Sequence, residues 1–245
     1  MRRGVVATVA GLIALSGTAC MSVVRSPEIG LQRSLYPGLT DVKPEDIPAI
    51  LEKRVNLKPP ISVGIAWLRE SPSGSHRWTT PLSDFQRTGV LEAAIATLRK
   101  APVSTVSALP TVPERDMMPG PASTIDAVRA AAARFQYDVA ILLQTGLAED
   151  SGLNVLAVGY LGLVTAPLFP GTDFAVASSA EACAVDVRSG IMLGCSLGRS
   201  SKEERFVFPW SLSTRRENVR EETIRDAVVA ASRELLQKIS ERVTE

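Results

Sequence analysis

The sequence predicts an α/β domain built on a mixed β-sheet, with a parallel first half and an antiparallel second half. Three observations carry this. Between residues 61 and 144, β-rich apolar runs alternate with helical patterns, which implies right-handed strand–helix–strand crossovers and a parallel sheet. Between 153 and 196 two apolar runs follow each other with no helix between them, so they are expected to pair antiparallel. The chain then closes on a long amphipathic stripe, residues 217–243. The chain has 245 residues, 45% hydrophobic and 22% charged, which suits one ordinary domain with attachments.

In order, Ile61 to Leu68 is a solid apolar run between Pro59-Pro60 and a Ser/Pro/Gly stretch, and reads as a buried strand. Ser83 with Gln86 forms a capping box, opening a helix expected to bury Phe85, Leu91, Ala94, Ile95 and Leu98 and to stop before Pro102. Val103 to Leu109 is a weaker strand. Ser123 with Asp126 is expected to cap a second helix with Ile125, Val128 and Phe135 on its inner face. Tyr137 to Gln144 is unbroken enough to be a strand covered on both faces. The runs Leu153–Leu168 and Phe174–Ser196 supply the antiparallel strands. The stripe Ile224, Val228, Ala231, Leu235, Ile239 and Val243 faces the core, with Glu221/Arg225 and Glu234/Lys238 as i,i+4 pairs outside it. These elements place one domain over residues 58–245.

The first fifty-seven residues read differently. Met1-Arg2-Arg3 is basic, Val5–Leu15 is an eleven-residue apolar run, and Ser16-Gly17-Thr18-Ala19 precedes Cys20. That order is a secretory signal over 1–19, too short for a membrane span. The small residues ending in cysteine resemble a bacterial lipobox, which implies that Cys20 is lipidated and becomes the new N-terminus; simple cleavage after Ala19 is the alternative. With Met21 rather than Asp following, the resemblance implies sorting to the outer membrane, facing the periplasm. Residues 20–57 hold Pro27, Pro37, Pro44 and Pro48 and are expected to form a lipid-anchored tether. A short helix within 44–54 would carry Ile47, Ile50 and Leu51. Fully extended, such a segment reaches about 130–145 Å.

Composition excludes several function classes. A net charge of +1 gives no global field for nucleic acid, and it falls to −1 when cleavage removes Arg2 and Arg3. One histidine and three cysteines cannot build a four-thiolate zinc site or a His-rich metal site, so neither a metal nor a cofactor is expected. No phosphate loop, dinucleotide fingerprint or nucleophile elbow occurs, and no catalytic residue is assigned.

Four constellations remain. A hairpin centred on Ser189 with Gly190 left-handed pairs residues whose numbers sum to 378, placing Cys183 opposite Cys195 on the face of Val185, Val187, Ile191 and Leu193. They form either a cross-strand disulfide or two buried thiols. His76, with Ser73 and Ser75, lies in a loop after the first strand where ligands bind in α/β sheets; Asp84 or Asp116 would complete a Ser/His/Asp set, and a flexible exposed loop is the alternative. Ser151–Thr172 is twenty-two residues without a charge, either a buried strand pair or a membrane-inserting hairpin. Arg199, Lys202, Arg205, Arg215 and Arg216 interleave with Phe206, Phe208 and Trp210, as a partner surface or a solvated connection.

The lipoprotein signal, Ser34-Leu35-Tyr36-Pro37, the strand opening Ile61-Ser62-Val63-Gly64-Ile65-Ala66 and the segment Asp186-Val187-Arg188-Ser189-Gly190-Ile191-Met192-Leu193 together resemble the uncharacterised rhombotarget lipoproteins. More distantly they are similar to periplasmic domains of the curli-secretion lipoprotein, of penicillin-binding-protein activator lipoproteins and of the amino-terminal part of TolB. The resemblance implies an Asp-x-x-x-Gly-x-x-Leu hairpin before the final helix. The expected function is non-enzymatic: a lipoprotein held to the outer membrane through Cys20 that binds a protein partner in envelope assembly or secretion. A curli-like oligomeric pore component and an envelope hydrolase are the competing readings.

Overall fold

The computed structural model describes residues 24–35, 45, 47–68, 82–110, 121–153, 172–206 and 212–244. Its elements are α1 (Leu31–Leu35), α2 (Ile47–Glu52), β1 (Ile61–Trp67), α3 (Asp84–Leu98), β2 (Val103–Ala108), α4 (Pro121–Arg134), β3 (Val139–Leu153), β4 (Thr172–Asp186), β5 (Met192–Phe206) and α5 (Leu212–Thr244). The described strands form one sheet in the order β2-β1-β3-β4-β5. β1 runs parallel to both β2 and β3, whereas β3–β4 and β4–β5 are antiparallel. The mixed sheet, its flanking helices and the long C-terminal helix are those the sequence predicts.

Strand order explains the layering. The chain leaves β1 for β2 on one side and then returns across β1 to β3 on the other, so two right-handed crossovers put α3 and α4 on opposite faces. Two core clusters record this. One holds Val90, Ala94 and Leu98 of α3 with Ile61, Val63 and Ile65, and continues to Ile224, Val228, Leu235 and Ile239 of α5. The other holds Ile125, Val128 and Ala132 of α4 with Ala140, Leu142, Cys183 and Val185. Residues 139–143 and 174–186 are therefore buried on both faces, which is why those runs lack polar alternation.

β3, β4 and β5 each have fifteen residues, about 50 Å at a strand's rise. The thirty-three residues of α5 are also about 50 Å long. The helix is thus matched in length to the strands it covers, and it packs on β4, β5 and α3. β1 pairs with β3 only over Val139–Leu143, so the rest of β3 projects past the parallel half together with β4 and β5. Leu153, Thr172 and Phe206 mark the distal end of these three strands.

Several local expectations need correction. α4 begins at Pro121, not after Ser123; proline suits the first helical position because its missing N–H would have no partner there. Phe135 lies past that helix and is 55% exposed, stacked on the Tyr137 ring at 6.3 Å. The inner face of α3 is Val90, Ala94 and Leu98, with Leu91 and Ile95 half-buried; the side chain of Phe85 lies outside the described residues. The short helix expected within 44–54 forms as α2, with Ile47, Ile50 and Leu51 exposed.

The charged segment 199–206 is neither a connection nor a loop. It is the distal half of β5, hydrogen-bonded to β4 along its whole length. β3 likewise continues beyond Gln144 through Glu149-Asp150, because β4 supplies ladder partners that the apolar pattern cannot reveal.

Residues 20–57 are not a free tether throughout. Leu31 and Leu35 are 1% and 3% exposed and belong to the α4-side core cluster, while Val55 and Leu57 pack against the other. The packed body therefore starts before residue 58. Proline content argues against long regular elements, but it does not prevent a short segment from docking through its carbonyls and apolar side chains.

Candidate functional site

The β4–β5 hairpin is built around its turn. Asp186 closes β4, and its carboxylate accepts from the Ser189 N–H at 2.8 Å and from the Ser189 hydroxyl. The Gly190 N–H donates back to the Asp186 carbonyl at 2.9 Å, and Gly190 has φ +75°, the left-handed conformation anticipated for it. Arg129 of α4 lies over the turn. Its guanidinium donates to the Val187 carbonyl at 3.1 and 3.2 Å and to the Arg188 carbonyl at 3.2 Å, while Asp126 holds it at 3.0 Å. A Cβ on residue 190 would sit 2.8 Å from that guanidinium. The Asp-x-x-x-Gly pattern is thus a turn lock, with Arg129 as a partner that no sequence signal marked.

Beyond the turn, Cys183 pairs with Cys195 in the β4–β5 ladder, and the two form a disulfide. Of the two alternatives, bridge or free thiols, the geometry has the bridge. The predicted pairing holds from Ala184/Gly194 onward but breaks at a bulge, where Val185 faces Met192. A bulge puts two consecutive residues on one face. Leu193 accordingly joins the α5-side core with Ala182 and Ala184, not the cysteine face where it was expected.

Two residues up β4, the N-terminal segment docks. The Glu181 carboxylate, 9% exposed, accepts from the Leu31 N–H at 2.7 Å and the Gln32 N–H at 3.0 Å. It thereby satisfies two donors at the start of α1, which have no intrahelical partner. The Ser179 hydroxyl donates to the Pro27 carbonyl at 2.5 Å. Pro27 rests on Gly146 of β3, where a Cβ would be 2.9 Å from the proline ring. Neither Glu181 nor Ser179 stood out in the sequence, since a lone carboxylate within an Ala-rich run has no spacing signature.

The charges of the 199–216 segment are largely tied down. Lys202 reaches Glu222 at 3.0 Å and Asp226 at 3.2 Å, Arg205 reaches Asp173 at 3.3 Å, and Arg215 reaches Glu204 at 2.9 Å. Arg216 stacks over the Phe174 ring at 5.0 Å, and Arg220 of α5 forms a mostly buried pair with Glu149 of β3. The hydrogen bond from Lys202 holds the Glu222 carboxyl below its usual value, and Glu222 in turn raises Lys202. Both i,i+4 pairs on α5 form, Glu221–Arg225 at 2.5 Å and Glu234–Lys238 at 2.7 Å. The contacts of Lys202, Arg215, Arg216 and Arg220 lace α5 to the sheet. Phe208 and Trp210 lie outside the described residues.

Cys20, Ser73, Ser75, His76 and Asp116 also lie outside the described residues, as does most of Ser151–Thr172. Asp84 opens α3 and faces Arg87 at 3.9 Å. No group of three or more His, Cys, Asp or Glu side chains suited to a metal occurs among the described residues. No helix among them is long and apolar enough to cross a membrane.

No protein-family model matches the chain, and no curated protein sequence matches it either. Among solved structures, the chain is similar to a lipoprotein from Neisseria meningitidis, at 21% identity over 65% of this chain and 96% of that one, with a TM-score of 0.34. It is similar to a homolog of the neuraminyllactose-binding hemagglutinin from Helicobacter pylori, at 8% identity over 78% and 98%, TM-score 0.41. A third is the PelC dodecamer from Paraburkholderia phytofirmans, at 14% identity over 69% and 87%, TM-score 0.28. Function has to be read from this chain's own residues.

Proposed function

We propose that this protein is an outer-membrane-anchored lipoprotein facing the periplasm, that it binds a protein partner in envelope assembly or secretion, and that it performs no chemistry of its own. The observation that carries the location is the Cys183–Cys195 bridge. Disulfides persist in oxidising compartments, and the basic, apolar and small residues leading to Cys20 form an export and lipidation signal. What supports binding is β5, the outermost described strand on its side, fifteen residues long and stiffened by its ion pairs to α5. A long sheet edge is a template for an added partner strand.

The anchor has a direct test. Cys20→Ala is expected to abolish incorporation of labelled palmitate and to move the protein from the membrane pellet to the soluble periplasmic fraction. Continued sedimentation with the membranes would overturn the lipid-anchored reading.

A second reading, an oligomeric secretion-pore component, is favoured by one further observation. Leu153 and Thr172 are ladder partners, so the eighteen residues between them, none charged, leave and re-enter the sheet at its distal end. Detergent-extracted acylated protein would then run on gel filtration as a large ring; a monomer at envelope-like concentrations rules the pore out.

A further inference from the structure

We infer that the distal half of β5 pairs antiparallel with the same segment of a second copy of this chain, about a twofold axis at Ser201. This deepens the reading of β5 as a partner-binding edge, and rests on it, by naming the partner.

The backbone decides which groups the edge presents. The Cα atoms of Cys183 and Cys195 are 4.1 Å apart, the close spacing of a pair that exchanges no backbone hydrogen bonds. Such a residue turns its N–H and C=O away from the neighbouring strand. The Cys195 carbonyl accordingly points away from β4 and accepts from the Lys238 ammonium at 2.6 Å. The ladder is unbroken from there to the distal end, so alternation gives Leu197, Arg199, Ser201, Glu203 and Arg205 the same outward direction. All of these residues are exposed, and no described strand pairs with β5 on that side. Lys238 covers the edge near the hairpin turn; the open template begins beyond it.

Side chains select the occupant and its register. Ser196 and Gly198 face α5, so the outward-directed residues carry their side chains on the opposite face. Arg205 is held there by Asp173 at 3.3 Å, whereas Arg199 and Glu203 form no ion pair among the described residues. With Ser201 opposite Ser201, each Arg199 lies directly opposite Glu203 of the other copy, once on each side of the axis. Leu197, 43% exposed, is covered by the aliphatic stem of the opposing Arg205.

Neighbouring registers lose this match. An axis at Glu203 or at Arg199 sets that charge against itself, and one at Lys202 sets Arg199 against Arg205. An axis at Ser200 runs the opposing Arg205 into Cys195, whose carbonyl Lys238 occupies. On the α5 face, an axis at Ser201 places Lys202 opposite Ser200 and Glu204 opposite Gly198. Glu222 and Asp226 stay bridged by Lys202 of their own chain, and Glu204 stays on Arg215. Antiparallel pairing about a twofold axis also closes, so neither copy keeps this edge exposed.

The test uses the acylated full-length protein in detergent micelles. On oxidation with diamide, Ser201→Cys is expected to form a covalent dimer, because the residue sits about 5.5 Å from its own copy, within disulfide reach. Leu197→Cys by itself should stay monomeric. In sedimentation, R199E and E203R are each expected to weaken dimerisation roughly tenfold or more, and mixing the two variants should restore it, since opposite charges then face each other at both places. Crosslinking at 201 no greater than at 197, single reversals that leave the dimer intact, or a mixture that stays monomeric would overturn the pairing. A photocrosslinker attached at position 201 in the native envelope separates this from the underlying reading. Capture of a different protein overturns the second copy and leaves β5 as a binding edge; no capture at all overturns both.

Discussion

Gly198→Ala is expected to destabilise the protein by about 3 kcal/mol or more, the upper range for overpacking a filled interior. Gly198 faces α5 from β5, and a Cβ there would lie 1.9 Å from the Ala227 carbonyl oxygen and 2.7 Å from the Ala231 nitrogen. Both obstacles are helix backbone, so no rotamer change relieves them; the helix itself must move. Ala227 and Ala231 are fully buried, which lets α5 approach the strand this closely. The same approach allows two sheet hydroxyls to donate to helix carbonyls, Ser196 to Ala231 at 2.7 Å and Ser178 to Thr223 at 2.7 Å. Lifting the helix strains these bonds as well as the core beneath it. Chemical denaturation checks the value. Gly152→Ala is the control: a Cβ there meets nothing within 4 Å, and its effect should stay within about 0.5 kcal/mol.

Removing the bridge with Cys183→Ala and Cys195→Ala together is expected to cost about 3 kcal/mol, the value for closing a loop of roughly this length. The cysteines are twelve residues apart in sequence. Alanine is the better replacement because Cys183 is fully buried beside Leu142 and Val185, where a serine hydroxyl would add a desolvation penalty. The midpoint of urea unfolding should fall in the double variant and, to a similar extent, in the wild type under strong reductant. Native protein should show no reactive thiol at these two positions until it is reduced. An unchanged midpoint in the variant would mean that the hairpin ladder and the turn lock at Asp186 already hold the loop closed.

Residue pattern alone carried a good part of this architecture. Apolar runs bounded by proline and glycine located β1, β2 and the start of β3, since burial on both faces leaves a continuous signal. The stripe from Ile224 to Ile239 located α5, since a helix lying on a sheet repeats every three or four residues. The cysteine pairing followed from counting outward from a turn that Gly190 marks. The same counting misplaced Leu193, because a bulge between Ala184 and Val185 has no signature in residue types.

What sequence could determine by itself was whatever depends on neighbours within a few positions: element identity, the glycine of the hairpin turn, the capping box and the i,i+4 pairs. Tertiary structure alone decided which polar groups meet across separations of 20 to 150 residues. Glu181 meets Leu31 and Gln32, Arg129 meets Val187, and Lys202 through Phe206 becomes strand because β4 and α5 supply partners. The physical reason is the same in each case. A backbone donor or a side-chain charge can be satisfied by any matching group brought within hydrogen-bond distance, and only the folded chain specifies which group that is. The proline-rich segment before residue 58 shows the consequence: its composition describes a leash, and its carbonyls and leucines make part of it a clasp.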